Sequence, residues 1–168
     1  MGVRKIFTVD HRLCVGCKQC ELVCSLTKTG AFNPYRARIR VIRNPTKGNY
    51  QPIICYHCKE PRCQKACPED ALKRDLNTGA VVLDESLCTG CRACVEACPF
   101  GSIQVDPDGD ILKCDLCGGD PTCVKYCSER PADSSPLMAN PEGAKALQYV
   151  APHQVTYTRR YAQLSDKT

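Results

Sequence analysis

The run CYHCKEPRCQKACPEDALKRDLNTGAVVLDESLCTGCRACVEACPFGSI, Cys55 to Ile103, decides the fold. It holds Cys55, Cys58, Cys63 and Cys67 at C-x2-C-x4-C-x3-C, then Cys88, Cys91, Cys94 and Cys98 at C-x2-C-x2-C-x3-C. Between the two groups, ALKRD and AVVLD flank the turn signal LNTG, so the spacer reads as a β-hairpin. The pattern repeats outward. Upstream, LCVGCKQCELVC carries Cys14, Cys17, Cys20 and Cys24; downstream, Cys114, Cys117, Cys123 and Cys127 stand at C-x2-C-x5-C-x3-C. These four quartets use all sixteen cysteines of the 168-residue chain. Each opens with C-x2-C and closes with C-x3-C, a repeat that outranks local propensity.

The spacing fits a [4Fe–4S] cube, which offers four iron corners that each take one thiolate. Two cysteines two residues apart reach adjacent corners from one tight turn. The closing pair, at i and i+4, lies one helical turn apart on one side of a helix. Cysteine makes up nearly a tenth of the chain, and the remaining hydrophobic residues only roughly a third, which is thin for a self-sufficient core. A bound group therefore supplies part of the interior. The N-terminus MGVRKIFTVDHRLC has no secretory pattern and no apolar run is long enough to span a membrane, so the expected compartment is the cytoplasm. Stable disulfides are rare there. Structural zinc sites usually read as two separated C-x2-C pairs or pairs with histidine. Here four cysteines crowd into 11 to 14 residues, four times, which favours four [4Fe–4S] clusters and leaves a zinc-binding interaction module as the remote alternative.

The motifs HC-x2-P-x-C-x3-CP, from His57, and C-x-GC-x2-C-x3-CP-x-G-x-I, from Cys88, resemble those of four-cluster electron-transfer subunits. These subunits serve hydrogenases, formate dehydrogenases and the dimethyl sulfoxide reductase group. The resemblance covers roughly residues 5 to 130. The small size and the GC-x2-C-x3-C-S start, Gly16 to Ser25, are most similar to the iron–sulfur subunit accompanying tungsten aldehyde oxidoreductase. In the bacterial ferredoxin run C-x2-C-x2-C-x3-C-P, the fourth cysteine serves the other cluster of a pair. Helix, hairpin and loop between quartets two and three follow that two-cluster plan. They assign Cys55, Cys58, Cys63 and Cys98 to one cluster and Cys67, Cys88, Cys91 and Cys94 to its neighbour. Quartets one and four remain for each other: Cys14, Cys17, Cys20 and Cys127 for a third cluster, Cys24, Cys114, Cys117 and Cys123 for the fourth. Both lack the closing proline, having Ser25 and Ser128 instead. The resemblance implies the same nesting. Sequential pairing, one with two and three with four, is the rival.

The expected fold is α+β: two nested ferredoxin-like modules of short helices and β-hairpins with an irregular C-terminal tail. Residues 1–54 plus 99–129 form the first module, 55–98 the inserted second, and 130–168 an extended tail. IQVDPDGDILKC, before Cys114, predicts a second hairpin turning at DPDGD. The tail is proline-rich and polar, with at most one short helix near PEGAKALQYV. It is either disordered or wraps over this domain or a partner, and Tyr149, Tyr157 and Tyr161 favour contact with a partner.

Formal charge is +5; four oxidised clusters with their thiolates would add about −8, leaving roughly −3, so the basic excess does not point to nucleic acid. In YRARIRVIR, Arg36, Arg38 and Arg40 alternate with Ala37, Ile39 and Val41, the pattern of a half-buried strand. Its arginine face is either solvated or a docking surface for an acidic partner. His57 lies between two ligands, but its quartet is already complete. Tyr56, Phe100 and Tyr126 flank cluster cysteines, where packing is favoured over an electron-relay role. Pro68 and Pro99 end ligand helices, and Gly16, Gly90 and Gly118 fit beside a cube.

No residue pattern marks a substrate pocket, a phosphate-cradling loop or a spare nucleophilic cysteine. The expected protein is not an enzyme alone. It is an electron-transfer subunit wiring a catalytic oxidoreductase subunit to a flavin-containing subunit or ferredoxin. The resemblance implies a tungsten or molybdenum pterin enzyme as the catalytic partner, with hydrogenase, formate dehydrogenase or carbon monoxide dehydrogenase as alternatives. A free-standing polyferredoxin is another alternative, and clusters near both ends would permit head-to-tail self-stacking.

Overall fold

Each closing C-x3-C sits on or just past a helix in the computed structural model, which describes residues 5–44, 46, 48–128 and 145–152. Helix α1 (Gln19–Thr29) carries Cys20 and Cys24, α2 (Arg62–Lys65) Cys63, α3 (Ala93–Glu96) Cys94 and α4 (Thr122–Lys125) Cys123. Cys67, Cys98 and Cys127 follow the three short helices, and their amides still donate back to Gln64, Val95 and Val124. Pro68 and Pro99 come next in chain, and having no N–H they cannot extend a helix.

The quartets without proline behave differently from each other. Helix α4 stops at Lys125 although Ser128 follows its last cysteine. Helix α1 runs on through Ser25 and ends at Gly30, whose φ of 73° closes it in the left-handed conformation. Ser25 is fully buried, donates through Oγ to the Leu22 carbonyl at 2.9 Å and accepts the Asn33 amide at 3.1 Å.

Among the described residues there are four antiparallel pairs: β1 (Ile6–Val9) with β8 (Leu147–Val150), β2 (Arg40–Asn44) with β3 (Asn49–Ile53), β4 (Leu72–Arg74) with β5 (Val81–Leu83), and β6 (Gln104–Val105) with β7 (Ile111–Leu112). The last two are the hairpins expected from LNTG and DPDGD. Ala37, Ile39 and Val41 are buried between their half-exposed arginines, as the alternation predicts, although the strand itself begins only at Arg40.

Helix α1 packs against α4, and α2 against α3. Two apolar cores follow. The first joins Phe7, Val9, Ile39, Val41, Ile54 and Leu147 with Cys20, Cys24 and Cys123. The second joins Leu72, Val81, Ile103 and Ile111 with Cys94. Each buried aliphatic side chain contributes about 1.5–3 kcal/mol.

One stretch of the tail lies on the domain itself. In place of a short helix near PEGAKALQYV, Leu147–Val150 is a strand laid along β1, with Leu147 opposite Val9. The edge of β1 offers unpaired backbone groups, and satisfying them outweighs local helix preference. Leu147 is buried, and Tyr149 packs on the first core with Lys5 Nζ 5.7 Å from its ring centre. The irregular tail expected from residue 130 is thus interrupted by ordered chain at 145–152; the rest of it, with Tyr157 and Tyr161, lies outside the described residues. Among the described residues no helix is long and apolar enough to cross a membrane.

Candidate metal centres

The C-x2-C turns share one backbone device. The residue before the second cysteine is left-handed in all four quartets: Gly16 (φ +69°), His57 (+47°), Gly90 (+70°) and Leu116 (+58°). Such a conformation costs a non-glycine residue about 1–2 kcal/mol. His57 offsets it by accepting the Val81 amide on Nδ1 at 3.0 Å, which ties the turn to β5 and leaves that nitrogen committed to the backbone. Leu116 offsets it by burial in the first core. At Gly16 a Cβ would run into the ring of Tyr50. Arg74 reinforces the second turn, donating to the carbonyls of His57 and Cys58 and, at 2.7 Å, to that of Gly79.

All sixteen thiols are free of disulfides. Cys14, Cys17, Cys20 and Cys127 line one small cavity. Cys67, Cys88, Cys91 and Cys94 line another. The remaining thiols lie near one another and near neighbouring quartets, and the ionisation of several is shifted accordingly. Burial raises the Cys58 thiol above its ordinary value, with Cys55 and Cys98 adding to it. Burial also raises Cys63 against the opposing effect of Lys113, again with Cys55 and Cys98 contributing. Cys123 is pushed up by burial and then by Cys114, Cys24, Cys20 and Cys117. Burial pushes Cys20 up to about 12, with Glu21, Cys127, Cys14 and Cys17 adding to it. Cys114 likewise reaches about 12, through burial and then Cys55. Thiols this reluctant to ionise alone suit a positively charged partner that takes the thiolate.

Among the described residues no three Cys, His, Asp or Glu side chains converge closely enough to grip a single ion. A donor set made of thiols alone, four to a quartet, has the chemistry that an iron–sulfur cluster with one thiolate per corner requires.

Donors to these sulfurs are not legible as motifs. The Arg38 amide points at Cys24 Sγ at 3.3 Å, the Leu116 amide at Cys114 Sγ at 3.5 Å, and Ser102 Oγ lies 3.3 Å from Cys98 Sγ. Lys113 is buried, and its Nζ donates to Cys55 Sγ at 3.1 Å. The aromatic residues read as packing divide: Tyr56 and Phe100 meet edge to face at 4.8 Å, whereas Tyr126 is exposed. The arginines of YRARIR face their own chain. Arg36 pairs with Asp106 and Asp108, Arg38 donates to the Arg36 carbonyl at 3.1 Å, and Arg40 lies 6.0 Å from the ring centre of Tyr35.

Free thiols gathered in quartets on and beside short helices mark an iron–sulfur electron-transfer protein with ferredoxin-like 4Fe–4S domains. Comparison with known proteins gives the particular family. A model described as the 4Fe–4S dicluster domain matches residues 46–133, and one described as a 4Fe–4S binding domain matches residues 12–30. The chain belongs to the 4Fe–4S dicluster family. It is 44% identical over 127 residues to the polyferredoxin-like subunit of aliphatic sulfonate oxidoreductase from Pyrococcus furiosus, covering 74% of this chain and 72% of that relative. It is 36% identical over 151 residues to the B subunit of anaerobic dimethyl sulfoxide reductase from Escherichia coli, covering 78% and 73%. Among solved structures, the active site complex BamBC of benzoyl coenzyme A reductase with benzoyl-CoA aligns at 27% identity and a TM-score of 0.47, covering 89% of this chain and 80% of that one. This chain is accordingly an iron–sulfur electron-transfer subunit of the kind that serves oxidoreductase complexes, and is not itself a catalytic subunit.

Proposed function

We propose that the chain carries four [4Fe–4S] clusters in two nested ferredoxin-like modules and conducts electrons between a catalytic subunit and an acceptor. In this reading Cys14, Cys17, Cys20 and Cys127 hold one cluster and Cys24, Cys114, Cys117 and Cys123 the next. Cys55, Cys58, Cys63 and Cys98 hold the third, and Cys67, Cys88, Cys91 and Cys94 the fourth. The observation that carries it is the crosswise company of Cys127, which shares a cavity with Cys14, Cys17 and Cys20, more than 100 residues upstream. The separate packing of α1 on α4 and of α2 on α3 supports the same pairing over the sequential one.

When bound, such clusters supply one-electron transfer at each site. The protein's part is to hold the thiolates, donate to their sulfurs and limit water. Cys55, Cys24 and Cys123 are buried, whereas Cys17 and Cys91 are exposed. Electron entry and exit are therefore assigned to the two groups that reach the surface, with the other two between them.

For the partner, a tungsten or molybdenum pterin enzyme is the preferred catalytic subunit and a flavin subunit or ferredoxin the acceptor. The support is the resemblance of the Gly16–Ser25 start; the likeness to the sulfonate oxidoreductase subunit supports an oxidoreductase complex as the setting. A dimethyl sulfoxide reductase-like complex is the second reading, favoured by the likeness to the B subunit of that enzyme. Anaerobic purification of the native protein at high salt, with analysis for iron, sulfide, tungsten and molybdenum, tests both. The expected result is a stable complex with about sixteen irons in this subunit, four for each of four cubes. A lone small protein, or one with zinc and no sulfide, would overturn the reading. Cys127→Ser should alter the cluster of Cys14 and leave that of Cys114 intact.

A further inference from the structure

Lys113 stands directly before Cys114, just past β7, and is only 6% exposed. Its Nζ has three acceptors: Cys55 Sγ at 3.1 Å, the Val81 carbonyl at 2.7 Å and the Cys114 carbonyl at 3.1 Å. Three acceptors match the three N–H groups of an ammonium; a neutral amine has only two. Burying an uncompensated charge costs several kcal/mol, yet none of these three partners is a carboxylate. The negative charge that would offset it is that of the thiolates once Cys55 holds a cluster. The position is also particular: Lys113 joins the first cysteine of quartet two to the first of quartet four, where the two cores meet.

We propose that Lys113 is a positioning residue for redox potential. Its ammonium, hydrogen-bonded to Cys55 Sγ, stabilises the negative charge arriving with an electron and holds the Cys55 centre at a higher potential than it would otherwise have. The proposal rests on the reading of Cys55 as a cluster ligand. Hydrogen bonds to ligand sulfurs, net charge and solvent exposure are the levers by which a protein sets these potentials. Lys113 applies the first two and, by filling the junction, the third. One electron comes from the neighbouring centre, which is oxidised by one; no bond forms or breaks, and Lys113 keeps its protons throughout. The effect is unequal, because Nζ reaches Cys55 through its sulfur and Cys114 only through its carbonyl.

The test compares the native complex with Lys113→Met and Lys113→Arg by EPR-monitored redox titration, alongside iron and sulfide analysis. Cys55→Ser identifies the signal of the centre concerned. With iron content intact, Lys113→Met should lower that centre's ratio of reduced to oxidised form, at the wild-type midpoint, at least about tenfold, or 59 mV for one electron. Lys113→Arg should restore most of the shift, and other centres should move less. Unchanged potentials with full iron content would overturn the proposal. Should Lys113→Met lose iron, wild-type protein labelled with 15N in the lysine side chain decides. A 15N coupling to the reduced Cys55 centre in pulsed EPR is expected, and its absence overturns the assignment. If Cys98→Ser perturbs a different signal from Cys55→Ser, the proposed ligand pairing fails while the role of Lys113 stands or falls separately on the lysine variants.

Discussion

The half of the molecule built on α1 and α4 and the half built on α2 and α3 have the same number of cysteines but unequal interiors. The first encloses Phe7, Val9, Ile39, Val41, Ile54 and Leu147 beneath two sheets. The second has Leu72, Val81, Ile103 and Ile111 beneath two short hairpins. At about 1.5–3 kcal/mol for each buried aliphatic side chain, the second half draws more of its cohesion from what its thiols bind. Anaerobic removal of iron by a chelator should therefore expose the amides of β4 and β5 to hydrogen exchange before those of β2 and β3. Simultaneous loss in both halves would abolish the distinction.

The same contrast appears one residue beyond each fourth cysteine. Ser25 lies inside an eleven-residue helix with both Oγ hydrogen bonds made, while Pro99 follows a four-residue helix that has already ended. Ser25→Pro should cost about 3 kcal/mol or more through the lost helix bond and ring clash. Pro99→Ser should cost about 0.4–1 kcal/mol, chiefly by loosening the unfolded chain. Thermal unfolding of the holoprotein, with iron content as control, ranks the two; equal losses would mean that α1 gains nothing from continuing.

Much of this architecture is legible in the chain. The quartets place the helices, LNTG and DPDGD place two hairpins, and the YRARIR alternation places Ala37, Ile39 and Val41 inside. The strand pair β1–β8 is not legible, because its partners lie about 140 residues apart and pairing over that span leaves no local pattern. Neither are the left-handed turns at His57 and Leu116, where the residue types argue against the conformation and tertiary contacts override them. The burial of Lys113 is hidden for a related reason: lysine is almost never fully buried unless paired, and its pairing involves Val81 and Cys55, both distant in sequence.

Gly16 and Gly90 separate backbone conformation from local packing. Both occupy the same place in a C-x2-C turn at nearly the same φ, but a Cβ at Gly16 meets the ring of Tyr50 whereas at Gly90 it meets nothing within 4 Å. Alanine at either position should incur conformational strain of about 1–2 kcal/mol. Only Gly16→Ala adds a clash with the first core, so it should show the larger loss of stability and of iron from its half. Equal effects would show that Tyr50 swings away freely.

The smallest expected difference lies in a repeat visible across the halves, DHRLC (Asp10–Cys14) and DESLC (Asp84–Cys88). In each, the aspartate carbonyl accepts the leucine amide and its carboxylate accepts the amide two residues on, Arg12 at 3.0 Å and Ser86 at 3.1 Å. Asp10 is buried and also holds the Arg12 guanidinium at 2.6 Å, while Asp84 is exposed and bonds the Ser86 hydroxyl at 2.6 Å. Burial alone would raise the Asp10 carboxyl, but the hydrogen bonds and charge of Arg12 hold it below its ordinary 3.8; Asp84 is lowered by Ser86. A carboxyl lowered on folding contributes stability that is full above its unfolded value and is lost as pH falls through its folded value. Asp10→Ala should therefore cost about 1 kcal/mol, the usual worth of such a cap, at every pH above about 5, and the deficit should shrink below 3.8. Asp84→Ala should cost less over the same range, since water can replace the carboxylate at its exposed turn. Denaturant titrations of anaerobic holoprotein across this pH range compare the two. A deficit for Asp10→Ala that grows on acidification would mean that Arg12 does not stabilise the charged form.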